Sequence, residues 1–131
     1  MDIDLPDVVA EVTAAFARYE QALVTNDVAT LDALFHNDPR TLRYGIGENL
    51  YGHAEIQAFR AARSPINLVR TPSRTLITTY SRDFAVASTL FHRPGVMIGK
   101  VGRQMQTWVR FPQGWRIVAA HVSVIAEPAN A

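Results

Sequence analysis

The chain has no cysteine and, among 131 residues, a single lysine, Lys100. The missing cysteines exclude a disulfide framework, a thiolate metal site and a cysteine nucleophile. There is no apolar run near the roughly 18 residues a membrane span needs. The opening MDIDLPDVV is acidic, without the basic and apolar regions of a secretory signal, so the expected location is cytoplasmic, away from any membrane. Basic and acidic residues nearly cancel, 13 against 12, and form no basic stripe, which argues against a nucleic-acid partner. Four histidines (His36, His53, His92 and His121) lack metal-ligand spacing, and no phosphate loop, dinucleotide fingerprint or serine elbow is present. No metal and no cofactor are expected. No pair of carboxylates falls visibly on one face, which counts against glycosidase-type chemistry.

What is present is arginine: with Lys100 set aside, twelve of the 13 basic residues carry guanidinium groups. GC-rich coding is one source of such a bias. Recognition of carboxylate or phosphate by a planar fork is another. At 131 residues and 48% hydrophobic composition, a single domain spanning 1–131 with its own core is expected.

Between Asp4 and Thr25 the apolar residues Val8, Val12, Phe16, Tyr19 and Leu23 recur with helical period, Pro6 and Asp7 suit the first turn, and Asn26 ends the helix. Asp27 can cap a short helix over Val28 to Phe35. Thr41–Tyr44 and Glu48–Tyr51 read as short extended pieces about Gly45 and Gly47, and a third helix covers His53 to Arg63. Its inner side carries Ile56, Phe59 and Arg63, with Arg60 turned to solvent. After Pro65 the period becomes two, over Leu68–Tyr80, Phe84–Arg93, Gly99–Phe111 and Trp115–Ile125, with Pro72 marking an edge or a break. The Pro-Ala-Asn-Ala tail is expected to fray. The order predicts an α+β domain, three N-terminal helices packed on one face of a curved antiparallel sheet. Both parities of the last strand are largely apolar, so one face meets the helices and the other is expected to meet a second subunit in a homodimer.

Several residues invite chemistry. Tyr19 lies on the buried stripe, either as a core tyrosine or as a proton carrier. Arg43 sits on a strand beside two glycines, and Arg63 is a charge on an apolar face that needs a partner or a wet cavity. Gln104 and Gln106 share a face with Trp108, while His121 and Ser123 share one with Trp115 and Ile117. If the two tryptophan faces coincide, these four polar groups converge in one pocket for a small anion. A self-satisfied polar network is the equal alternative.

Longer motifs now matter: Arg43-Tyr44-Gly45 with Glu48-Asn49-Leu50-Tyr51-Gly52, Phe59-Arg60-Ala61-Ala62-Arg63, Gly102-Arg103-Gln104 with Gln106-Thr107-Trp108, and Gly114-Trp115-Arg116-Ile117-Val118-Ala119-Ala120-His121-Val122-Ser123. Together these resemble the AtzH-like and HpxZ proteins of the SnoaL-like (nuclear-transport-factor-two-like) superfamily, from about Tyr19 to Ser123. The resemblance implies a cone whose concave sheet face holds the helices. It also implies decarboxylating amidohydrolase chemistry on carboxylated ureas or ureides, of the type urea-1,3-dicarboxylate to allophanate. The family's catalytic tyrosine and arginine fall on Tyr19 and Arg43, and Arg63, Gln104, Gln106, His121 and Ser123 would then bind substrate. HpxZ-like relatives imply an alternative: an accessory, non-catalytic anion binder working with an amidase-signature enzyme in oxalurate breakdown. A cone-fold isomerase or cyclase is a third class, and it would need a carboxylate base deep in the pocket.

Overall fold

The computed structural model describes residues 1–128; the Ala-Asn-Ala end of the tail lies outside them. Three helices, α1 (Pro6–Val24), α2 (Val28–Leu34) and α3 (His53–Ala62), come with six strands: β1 (Leu42–Tyr44), β2 (Asn49–Tyr51), β3 (Thr71–Tyr80), β4 (Phe84–His92), β5 (Lys100–Phe111) and β6 (Gly114–Ala126). The sheet order is β2-β1-β6-β5-β4-β3. The α+β architecture expected above is the one observed, with the helices on one side of a strongly curved sheet. One joint differs from the antiparallel expectation: β1 runs parallel to β6, Arg43 opposite Ala120. The chain can return to β6 in that sense because four strands and a helix separate the two elements.

Local chemistry explains the helix boundaries. Pro6 occupies the first turn of α1, Asp7 faces its positive end, and Val8, Val12, Phe16, Tyr19 and Leu23 are all buried. The helix stops where Asn26 adopts a left-handed conformation, φ 53°. The Asp27 carboxylate caps α2 by accepting from the Thr30 amide at 3.2 Å and the Thr30 hydroxyl at 2.7 Å. Leu31, Leu34, Phe35, Trp108, Trp115 and Ile117 join the α1 stripe in one core. Each aliphatic member contributes roughly 1.5–3 kcal/mol by leaving water. The indole of Trp115 keeps its N–H satisfied by donating to Glu11 Oε1 at 2.9 Å.

Pro72 lies where proline is tolerated, on the edge strand β3. There the ladder slips between Ser73 and Leu76, with Arg74 at φ 48°. A second irregularity governs the site. Thr107 pairs with Ala119 but Trp108 pairs with Ile117, so Val118 is an extra residue on β6. Trp115 and Ile117 point to the core before it, Ala120 and Val122 after it. A single bulge has exchanged the faces of the second half of the strand. Among the described residues no helix is long and apolar enough to cross a membrane.

Candidate functional site

Where α1 and α3 close over the concave face, they leave a cavity of about 290 Å³ whose walls include Tyr19, Arg43, Arg60, Arg63, Arg70 and Gln104. Those four guanidinium groups, with Arg93 as a fifth in the lining, set its chemistry. Arg43 donates to Glu48 Oε1 at 2.8 Å, and its guanidinium carbon lies 5.3 Å from the centre of the Phe59 ring. Gly45 makes that ion pair possible, since a Cβ there would come within 1.7 Å of Glu48 Oε1. Arg70 grips Glu20 through Nε at 3.0 Å and Nη2 at 2.5 Å, and also donates to Gln104 Oε1 at 2.9 Å. Beneath Arg70, 4.3 Å away, lies the ring of Phe91, which in turn rests on Gly102, where any Cβ would meet it at 2.1 Å.

The other two cations have no carboxylate partner among the described residues. Arg63 donates to the Leu23 carbonyl at 3.2 Å and to Asn26 Oδ1 at 2.9 Å. Arg60, 2% exposed, donates to the Tyr19 hydroxyl at 3.0 Å. The Nε atoms of Arg43, Arg60 and Arg63 are buried without a partner. Four guanidinium groups against the carboxylates of Glu20 and Glu48 leave two positive charges in excess. Arg93, at the same cavity, donates to the Asn67 carbonyl and adds to that surplus. Burial and then mutual repulsion make both unpaired groups more acidic: Arg60 is shifted down by desolvation above all, and Arg63 falls to about 10 from desolvation followed by the charge of Arg60. Arginine side chains hold their charge in proteins, so both count as cations. Tyr19 moves the opposite way to a tyrosine in a dry core. Burial alone would raise it, but the positive charges of Arg60, Arg43 and Arg70 together outweigh burial and bring the phenol below its ordinary range.

Of the residues expected from sequence, the fold brings Tyr19, Arg43, Arg63 and Gln104 to this cavity. Gln106 is buried away from it, accepting from the Trp108 indole at 3.1 Å. His121 and Ser123 do not converge with them. They lie on the outer face, where His121 meets the Tyr44 ring edge-on with centroids 5.9 Å apart and Arg103 donates to Ser123 Oγ at 3.0 Å. The extra residue Val118 is the reason, because it breaks the alternation that the expectation extended from Trp115. Arg60 corrects a second expectation: it is buried, not solvated. It follows Ile56 by four residues and so shares that helix face, and the spacing was available to find it. Arg70, Glu20 and Glu48 were also missed. Glu20 follows Phe16 by four residues, a detectable signal, whereas Arg70 sits in an irregular segment with none.

A family model described as AtzH-like matches residues 1–128. The chain belongs to the AtzH-like family. Among solved structures, this AtzH-like protein is similar to a protein of unknown function of the DUF3225 family from Pectobacterium atrosepticum, at 61% identity over 95% of this chain and 96% of that one, TM-score 0.92. It is also similar to a cystatin-like fold protein from Burkholderia xenovorans, 48% identical over 98% and 99% of the two chains, TM-score 0.92. A nuclear-transport-factor-two-like protein from Salmonella enterica is 25% identical over 94% of each chain, TM-score 0.74. These neighbours identify the AtzH-like protein's cone as nuclear-transport-factor-two-like, or cystatin-like. No curated protein sequence matches the chain.

Proposed function

We propose that this AtzH-like protein binds a small dicarboxylated urea or ureide and removes one carboxyl group as carbon dioxide. The observation that carries the reading is a pair of guanidinium groups without a carboxylate, Arg60 buried and Arg63 half-buried, beside a buried phenol. A surplus of at least two positive charges, to which Arg93 adds, in a cavity of about 290 Å³ suits a small molecule with two carboxylates. Family membership supports the substrate class.

In this reaction the bond from nitrogen to one terminal carboxyl carbon breaks. Carbon dioxide leaves, and the nitrogen's electron pair takes the proton of the Tyr19 hydroxyl. Water returns a proton to the tyrosinate, so one proton is consumed per turnover. Arg43 offers the urea oxygen or the retained carboxylate a planar fork, and Arg63 and Gln104 hold the remaining oxygens. The test is turnover of urea-1,3-dicarboxylate made in place by an upstream amidase, compared with its spontaneous loss. Faster allophanate formation supports the reading; tight anion binding with no acceleration replaces it with an accessory binder. Arg43→Lys keeps the charge but loses the fork, and turnover is expected to fall at least about tenfold. A rate near that of the native chain removes the bidentate clamp.

A second proposal concerns assembly. On the outer face Leu76, Ser88, Met105, His121 and Tyr44 form one cross-strand row, with Leu76 64% and Met105 56% exposed. The row carries no acidic group, and a second copy of the sheet would cover it. Light scattering at micromolar concentration is expected to give the mass of a dimer. A monomer there ends the proposal.

A further inference from the structure

The arginine that touches the phenol is not the one that the sequence brings forward. Arg43 and Arg70 each have a glutamate at hydrogen-bond distance. Arg63 directs its Nη2 to Asn26 and the Leu23 carbonyl. Arg60, on the last turn of α3, is buried, lacks a carboxylate, leaves Nε without a partner, and has the Tyr19 oxygen, 3.0 Å away, as its one hydrogen-bond acceptor among the described residues. A guanidinium always donates, so the phenol oxygen is the acceptor in this bond. The hydroxyl's own proton has no protein acceptor among the described residues and is left to whatever fills the cavity.

A buried cation without a counter-ion is a costly arrangement unless a negative charge arises beside it. Loss of the Tyr19 proton creates that charge where Arg60 already points. We infer that Arg60 is the positioning residue that prepares the Tyr19 oxygen to bear negative charge, while Arg43 and Arg70, each neutralised by its own glutamate, face the ligand and the cavity wall. The inference deepens the proton-transfer role given to Tyr19 above and rests on it for its catalytic meaning. The charged groups around the phenol are Arg60 and Arg63 from α3, Arg43 from β1, Arg70 from the segment before β3, Glu20 from α1 itself and Glu48 from the β1–β2 turn. Glu20 opposes ionisation of Tyr19, and only Arg60 among the cations is hydrogen-bonded to it.

Ultraviolet absorbance of tyrosinate, followed through a pH titration without any substrate, reads this directly. Subtracting the Tyr19→Phe titration removes Tyr44, Tyr51 and Tyr80. In the native chain the difference signal is expected to titrate below the ordinary tyrosine value near 10. Arg60→Met removes the desolvated charge but keeps an apolar stem of similar reach, a change that buried cations without partners commonly tolerate. The Tyr19 midpoint should then rise by about one to three pH units, a ten- to thousandfold loss in ionisation constant. Arg60→Lys restores charge without the fork and should bring the midpoint back at least half-way. The alkaline behaviour of turnover should move in step with the midpoint.

An unmoved midpoint in Arg60→Met, with affinity for malonate sharply reduced, overturns the inference and makes Arg60 a ligand contact. A native midpoint at or above that of the other tyrosines overturns it as well. Should the midpoint move as expected while no turnover is found, the inference about Arg60 stands and the proposed reaction is what fails.

Discussion

Replacing Tyr19 by phenylalanine is expected to lower turnover of a dicarboxylated urea by about 10²-fold or more while leaving dianion binding within a few fold. The variant keeps the ring, and with it the edge-to-face contact with Phe35, centroids 6.2 Å apart. Only the hydroxyl is lost. If that hydroxyl donates the proton that nitrogen needs as carbon departs, the barrier rises by roughly 3–5 kcal/mol, the size of a general-acid contribution. Arg60 loses its acceptor at the same time, so a stability decrease of about 1–3 kcal/mol accompanies the kinetic effect. Steady-state kinetics separates the two, because a merely loosened site raises KM and leaves kcat in place. That outcome would reassign Tyr19 to substrate positioning.

The second large effect concerns Arg70 and Glu20. The two side chains are 6% and 13% exposed and share a bidentate pair. Arg70→Met leaves a carboxylate in a mostly apolar wall among α1, Phe91 and Gln104. Such an orphaned charge typically costs about 3–5 kcal/mol, a large part of a small domain's stability. In Glu20→Gln/Arg70→Met neither charge remains, and most of the loss should return. Urea unfolding of the two variants measures the difference. Equal stabilities for the single and double replacements would show that the pair is not what makes Arg70 important. Coupling of this size between residues 50 apart in sequence also means that the segment before β3 is anchored by charge as much as by packing.

How far the sequence could be read varied with the kind of signal involved. The α1 stripe and the alternation of β4 and β5 follow from burial on one face, and burial leaves a periodic trace that needs no tertiary information. Tyr19 and Arg43 stood out because the resemblance pointed to them, and the cavity contains both. Arg60 was visible in principle, four residues after Ile56, but an arginine in that position is ordinarily a solvated one. Its place on the Ile56 face turns it inward, where the Tyr19 hydroxyl accepts from it against the repulsion of its neighbours. The misplacement of His121 and Ser123 has a different origin. Val118 and Ala119 look like any strand residues, both faces of β6 are apolar, and nothing in their identity announces a bulge. Arg70 and Glu48 fall inside the extended pieces read from the sequence, Leu68–Tyr80 and Glu48–Tyr51, but the strands begin at Thr71 and Asn49, so both reach the cavity from irregular chain.

The Glu48–Arg43 pair gives the cavity a carboxylate of its own. A carboxylate that takes Arg43 Nη1 does so in exchange for Glu48, which is tethered five residues away by a turn that Gly45 leaves open. Short tethers hold a group at an effective concentration of about millimolar or more. A solute with one carboxylate must therefore compete with a resident rival. On the proposed reading, a solute with two carboxylates has Arg63 for its second group, which offsets the exchange. On that reading the hairpin acts as a threshold that favours the more highly charged molecule.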